Sequence, residues 1–228
     1  AEQGLDGVIC TPHQSRSERP TKLIKDPFAH VCKAAQALPV RLYLGAEIYY
    51  YDGMKEALRA GELLTLGGSA YVLVEFSLYG GMTDIPDAVY ELSIMGYHPI
   101  VAHAERYGYL SREDFFNIRE SGGLIQVNAH AFSQRPCRKL LKFLLRNDML
   151  DFVASDCHRA EGRNVDFTAA KAYVRKRFPN QYEKLFGDNG KIFRRKKIRL
   201  FDLRGGFFDV MYKAAGSECA RRFLFAII

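Results

Sequence analysis

The stretch YVLVEFSLYGGMTDIPDAVYELSIMGYHPIVAHAER, residues 71–106, reads as one strand, one helix and a second strand. The apolar, β-branched run at 71–76 suits a buried strand. Thr83 or Asp84 is then placed to cap a helix, because a short polar side chain accepts from the first unpaired backbone N–H groups. Pro86 falls in the first turn, where a missing N–H costs nothing, and Gly96 lies just past the end. Ile85, Val89, Leu92 and Met95 recur every three or four residues, so one face of the helix packs on a sheet. The second strand is expected over 99–102. Both strands end in polar residues, Glu75 and His103.

The same alternation extends in both directions. Further strands are expected near 7–11, 40–47, 124–127 and 151–154, with helices around 27–38, 112–121, 138–147 and 166–177. The six strands start about 25 to 35 residues apart, one βαβ period. No low-complexity segment or linker separates these units. With 48% hydrophobic residues and 26% charged in 228, the chain has the composition of a folded domain and not of a disordered one. Its longest apolar run, 223–228, is too short to cross a bilayer, and no secretory signal opens the chain. Five scattered cysteines without a C-x-x-C pair fit a reducing cytoplasm. The net charge of +7 favours acidic or phosphorylated partners. Basic and aromatic residues are not interleaved as nucleic-acid motifs require, so nucleic acid is not an expected ligand.

Polar residues gather at the strand ends. His13 follows the first strand, Glu47 ends the second and Glu75 the third. His103 and Arg106 follow the fourth, Asn128 the fifth, and Asp156 with His158 the sixth. Each alone reads as a loop histidine or a strand-end carboxylate paired with a base; their coincidence at one end of every strand is the signal. In βα barrels the catalytic groups converge at the C-terminal ends of the strands. Six strands do not close an eight-stranded barrel, and Ala1 lies only a few residues before the first, as though an initial βα unit were absent. The alternatives are an open α/β sheet and a barrel without its beginning, and the polar residues favour the barrel. Three histidines and three carboxylates at one point require cations between them, and mixed imidazole and carboxylate donors suit Mn, Fe or Zn better than Ca or Mg. Arg106 and Arg163 are placed to grip phosphate oxygens. The chemistry expected is metal-assisted phosphoester hydrolysis. His30 and His98 are expected to be structural or surface residues, and His130 at most lines the site.

The strings TPH (11–13), GAEIYY (45–50), VEFS (74–77), IPDAVYELSIMGYHPIVAHAERY (85–107), QVNA (126–129) and FVASDCHR (152–159) resemble the manganese-dependent tyrosine-protein phosphatases of bacterial capsule and exopolysaccharide operons. That family belongs to the polymerase and histidinol phosphatase (PHP) superfamily. The resemblance covers about residues 1–198. It implies a distorted seven-stranded (βα) TIM-like barrel lacking its first strand here, and a trinuclear Mn2+ centre. It also implies a substrate, the phosphotyrosine tail of a cognate autophosphorylating tyrosine kinase. Matched motif to motif, His13, Glu47, Glu75, His103, Asp156 and His158 become metal ligands, and Arg106 and Arg163 bind the substrate phosphate. Two departures stand out. The H-x-H motif with which the family opens occurs nowhere in this chain, implying an N-terminally incomplete domain, and Ala104 stands where the family usually has Pro. Residues 199–228 read as a divergent extension, preceded by a basic run at 194–199 suited to an acidic kinase tail or peripheral contact with an anionic membrane.

Three other readings compete. The spacing C-x5-R of cysteine-dependent phosphatases occurs at Cys10–Arg16 and Cys157–Arg163. Yet the first loop holds Pro12 and no glycine, and the second is interrupted by His158. A PHP phosphoesterase acting on a small ester such as histidinol phosphate or a nucleotide keeps the metal site and changes the substrate. A catalytically impaired binding fragment keeps the fold alone.

Overall fold

A computed structural model of the chain describes residues 7–15, 21–38, 40–81, 83–158 and 165–187, and within them the strands fall where the apolar runs predict. In chain order the elements are β1 (Gly7–Cys10), β2 (His13–Gln14), α1 (Thr21–Ala34), β3 (Arg41–Leu44), β4 (Glu47–Tyr49) and α2 (Met54–Arg59). There follow β5 (Tyr71–Glu75), α3 (Ile85–Ile94), β6 (His98–Val101), α4 (Arg112–Glu120) and β7 (Leu124–Asn128). The last are α5 (Arg138–Arg146), β8 (Leu150–Ala154), α6 (Thr168–Arg177) and α7 (Tyr182–Phe186). Residues 188–228, with the basic run and the expected extension, lie outside the described residues, as does Arg163.

Every strand pairing is parallel. β1 pairs with β3, and a six-stranded sheet runs β2-β4-β5-β6-β7-β8. The expected strand at 40–47 is divided into β3 and β4, and the one at 7–11 is followed by a short further strand, β2. Pro12 has no N–H to give the ladder, so β1 stops and β2 resumes after it. Two bonds carry the pairing across the break, from Gly45 N to Cys10 O (2.9 Å) and from Glu47 N to Pro12 O (3.1 Å). Gly45 is required at this point. A Cβ there would lie 2.8 Å from Leu66 Cδ2 and 3.2 Å from Leu66 Cα, so the 3-10 turn at 66–68 packs directly on its backbone.

The helices confirm the quoted stretch. Asp84 caps α3 by accepting from Asp87 N at 3.0 Å, and Gly96 beyond its end has φ +88°. Ile85, Val89 and Leu92 are buried beneath it. α4 starts with a reciprocal capping box between Ser111 and Asp114. α1 begins earlier than the expected residue 27 and carries Pro27 inside it. Its start is tied down because Thr21 Oγ1 accepts from Gln14 Nε2 at 3.1 Å and donates to Glu62 O. The short α2 and α7 are additions to the expected list.

The sheet is apolar on both faces, as a parallel sheet under helices requires. One face, with Val72, Val74, Val101, Ile125, Val127 and Val153, packs against the helices. The other builds a smaller core from Ile9, Leu66, Tyr71, Leu73, Ile100, Ala102, Phe152 and Ala154. Along this second face the side chains turn polar at the strand ends: Tyr71, Leu73, Glu75 on β5 and Leu124, Gln126, Asn128 on β7. The polar rim therefore stands on an apolar floor.

The strands lie side by side in chain order with no reversal, so the winding proceeds in one direction. Among the described residues the outermost strands β2 and β8 are not hydrogen-bonded to each other, and the sheet does not close into a barrel. It is curled nonetheless: the His13 ring at one edge lies 6.3 Å from the His158 ring beyond the other. No helix among the described residues is long and apolar enough to cross a membrane.

Gly45→Ala is expected to lower stability by about 1–3 kcal/mol through overpacking against Leu66. Gly108→Ala, with open space at its Cβ, should change it by less than about 0.5 kcal/mol. Urea unfolding of the two variants checks this.

Candidate metal centre

Strand register brings distant residues together. His13 and Glu47 are ladder partners on β2 and β4, and Glu75 pairs one step further out with Tyr49. His103 follows β6, and its Nε2 lies 3.0 Å from Glu47 Oε1 and 3.4 Å from Glu75 Oε1. His13 Nδ1 lies 3.5 Å from Glu75 Oε2 and 3.9 Å from Glu47 Oε1. Four of the six expected ligands thus meet within one small cluster. Glu47 and His103 are almost wholly buried, while the His13 side chain is 44% exposed and opens the cluster to solvent.

Burial and ion pairing act against each other in the cluster. Burial alone would push His103 down, but the hydrogen bonds to Glu47 and Glu75 prevail and raise it to about 9. Glu75 is opposed by burial, yet it is held below the ordinary carboxylate range by His103, then His13 and Arg106. Two carboxylates thus face one imidazole, and a divalent cation is a natural counter-charge for such a set. The donor set fits one: ligand atoms of His13, Glu47 and Glu75 all lie within 4.8 Å of one another, and mixed nitrogen and oxygen donors suit a first-row transition metal. His103 Nδ1 is also buried with no hydrogen-bond partner among the described residues, an orphaned donor site inside the same cluster.

A hydrogen-bonded relay connects this cluster to the remaining two ligands. His103 N donates to Gln126 Oε1 (2.9 Å), Gln126 Nε2 donates to Asn128 Oδ1 (3.0 Å), and Asn128 Nδ2 donates to Asp156 Oδ2 (2.9 Å). All three side chains, with His103, are buried. His158 Nδ1 lies 2.8 Å from the Asp156 carbonyl, which can only accept, so that nitrogen carries the proton and Nε2 keeps its lone pair for a ligand role. His103 (φ +32°) and Asp156 (φ +47°) are two of the three non-glycine residues with positive φ among the described residues. Such backbone persists only where surrounding bonds over-determine it, and the relay does so here.

Arg106 ends the 3-10 turn after His103 and is exposed, near enough for its charge to act on both Glu75 and His103. Ala104, in place of the usual Pro, is fully buried at the start of that turn. Gln126 and Glu105 were not expected as site residues. The Glu105 carboxylate accepts from Asn128 N at 3.2 Å, and burial raises its pKa above the ordinary value. For Gln126 a signal existed, since alternation places it on the face of Asn128. His30 and His130 are exposed, and His98 packs its ring 4.9 Å from Tyr71, away from the cluster. The cysteine-based alternative is disfavoured at Cys10. Cys10 is fully buried, and burial, then Cys32, pushes its thiol up to about 12, so no thiolate nucleophile forms there.

Comparison with known proteins agrees with this geometry. The family profile described as "Capsular polysaccharide synthesis, CpsB/CapC" matches residues 1–194. Tyrosine-protein phosphatase CpsB of Streptococcus pneumoniae is 29% identical over 203 residues, covering 82% of this chain and 83% of that protein. Tyrosine-protein phosphatase YwqE of Bacillus subtilis (strain 168) is 26% identical over 209 residues, covering 86% and 80%. A solved structure from a study of YwqE and CpsB, described as unique metal-dependent tyrosine phosphatases, superposes with a TM-score of 0.72 at 24% identity. That superposition covers 78% of this chain and 75% of the other, and it establishes the shared fold.

Gln126→Met removes both relay bonds and leaves the His103 N–H and the Asn128 amide oxygen without them. The expected cost is about 1–3 kcal/mol of stability and a roughly tenfold weaker Mn2+ affinity, read by denaturation and by calorimetric titration.

Proposed function

The chain belongs to the CpsB/CapC family, and from that premise we propose that it is a metal-dependent protein-tyrosine phosphatase. Its substrate in this reading is the phosphotyrosine tail of a bacterial tyrosine autokinase in the cytoplasm, and its role is to regulate capsular or exopolysaccharide synthesis. The observation that carries the reading is the meeting of His13, Glu47, Glu75 and His103, from four different strands, with donor atoms 3.0 to 3.9 Å apart. The names and likeness of the relatives supply the substrate class.

His13, Glu47, Glu75, His103, Asp156 and His158 would hold the cations, with Mn2+ in a trinuclear arrangement as the preferred occupancy and Fe or Zn as alternatives. When bound, the cations supply Lewis acidity and a water ionised near neutral pH. Arg106, exposed at the mouth, and Arg163 receive the phosphoryl oxygens, where a guanidinium offers paired donors to two oxygens at once. Gln126 and Asn128 hold Asp156 in its strained conformation, and the buried carboxylates fix the positions of both histidines. A phenol, with a reference pKa of about 10, is a good leaving group, so tyrosyl phosphate suits a site whose main task is charge neutralisation. The fold that accompanies this reading is the distorted PHP-type barrel over residues 1–198. Chain-order winding and the approach of His13 to His158 support it.

Two outcomes test the assignment. Chelation should abolish hydrolysis of a phosphotyrosyl peptide and added Mn2+ should restore it, with Glu47→Gln lowering kcat at least about a hundredfold. Cys157→Ser should leave the rate within about twofold of the original, since a metal-dependent site needs no thiol. Turnover of histidinol phosphate or a nucleotide in preference to the peptide would transfer the activity to a small ester instead.

A further inference from the structure

A file of aromatic rings leads from the cluster to the surface. The rings of His103 and Tyr107 are 5.7 Å apart, and those of Tyr107 and Tyr109 are 5.9 Å apart. Tyr107 is buried, and its hydroxyl accepts from Phe76 N at 2.9 Å, immediately beyond Glu75. Tyr109 donates from its hydroxyl to Ser77 O at 2.8 Å, two residues beyond Glu75. Gly80 leaves room for the Tyr109 ring, since a Cβ there would already touch it at 3.5 Å. The ring is therefore held by packing and by a hydrogen bond, yet 42% of the residue remains exposed.

Tyr49 is a second ring near the same strand ends. It follows Glu47 by two residues on the same face of β4, lies opposite Glu75 in the ladder, and is likewise 42% exposed. Its phenol is near enough to contribute, after burial, to raising the pKa of Tyr109. The ordinary role of such tyrosines is to cover a core, but Ile48 and Phe76 already do that on the helix-facing side. Two part-exposed rings one step outward from the carboxylates, that of Tyr109 held in place by packing and a hydrogen bond, offer an aromatic surface to whatever the phosphoryl group is attached to.

We propose that Tyr49 and Tyr109 form an aryl-binding wall that makes the site select phosphate esters of phenols over those of alcohols. The inference rests on the phosphatase reading for where the phosphate sits, and it assigns the choice of leaving group to these two rings. Aromatic contact at a half-exposed surface is worth about a fivefold preference.

The test is calorimetric binding of phenylphosphonate and methylphosphonate, neither hydrolysable, to the full chain loaded with Mn2+. The unmutated protein should prefer the phenyl ligand about fivefold. Tyr49→Ala and Tyr109→Ala should each bring the preference towards unity while methylphosphonate affinity stays within about twofold, Tyr49→Phe should retain it, and Tyr90→Ala on the exterior of α3 should not alter it. No preference in the unmutated protein, an unchanged preference in the alanine variants, or equal loss of both ligands overturns the proposal. If Tyr109→Ala fails to fold, Tyr49→Ala decides alone. Hydrolysis of a phosphotyrosyl peptide by the unmutated protein is measured alongside. Aryl preference without turnover overturns the phosphatase reading and leaves the wall standing, turnover with preference unchanged in the variants does the reverse, and binding of neither phosphonate overturns both.

Discussion

Two carboxylates sunk into a protein and pointed at one imidazole are unstable company unless positive charge joins them. Glu47 and Glu75 are in that position around His103. Everything near them can be understood as holding the three groups in place against their own repulsion and desolvation. The strands supply rigid backbone, the relay from Gln126 to Asp156 fixes the next donors, and Arg106 adds a cation at the mouth. The hydrogen bonds from His103 to Glu47 and Glu75 outweigh its burial and raise its pKa to about 9.

The architecture follows from that requirement. A parallel sheet buried on both faces gives every strand end a dry base, and the switch from Leu73 to Glu75 and from Leu124 to Gln126 takes place on one face. The bend at Pro12 and Gly45 then lets the first two strands turn inward, carrying His13 and Glu47 over the floor.

Much of this was legible in the sequence. Asp84, Pro86 and Gly96 marked the ends of α3, and the polar residues at the strand ends, Glu75 and Asn128 among them, were readable too, because capping and strand periodicity are local properties. The curl that brings His13 to His158 was not legible, since it depends on the summed twist of five ladders. Gln126 and Glu105 escaped because their function is to bond other side chains, and a glutamine inside an apolar run looks like an exception until its partners are known. The early start of α1 escaped because Pro27 normally marks a helix beginning, and the tertiary bonds of Thr21 override that preference.

One consequence of the chain-order winding concerns assembly. Every ladder joins segments separated by an entire crossover, so contacts are non-local throughout, and loop-closure entropy must be met strand by strand before the next pairing forms. The donors span His13 to His158 and therefore come into proximity only when the whole sheet has zipped. In the proposed reading, an ion that binds only the finished arrangement stabilises all of it at once.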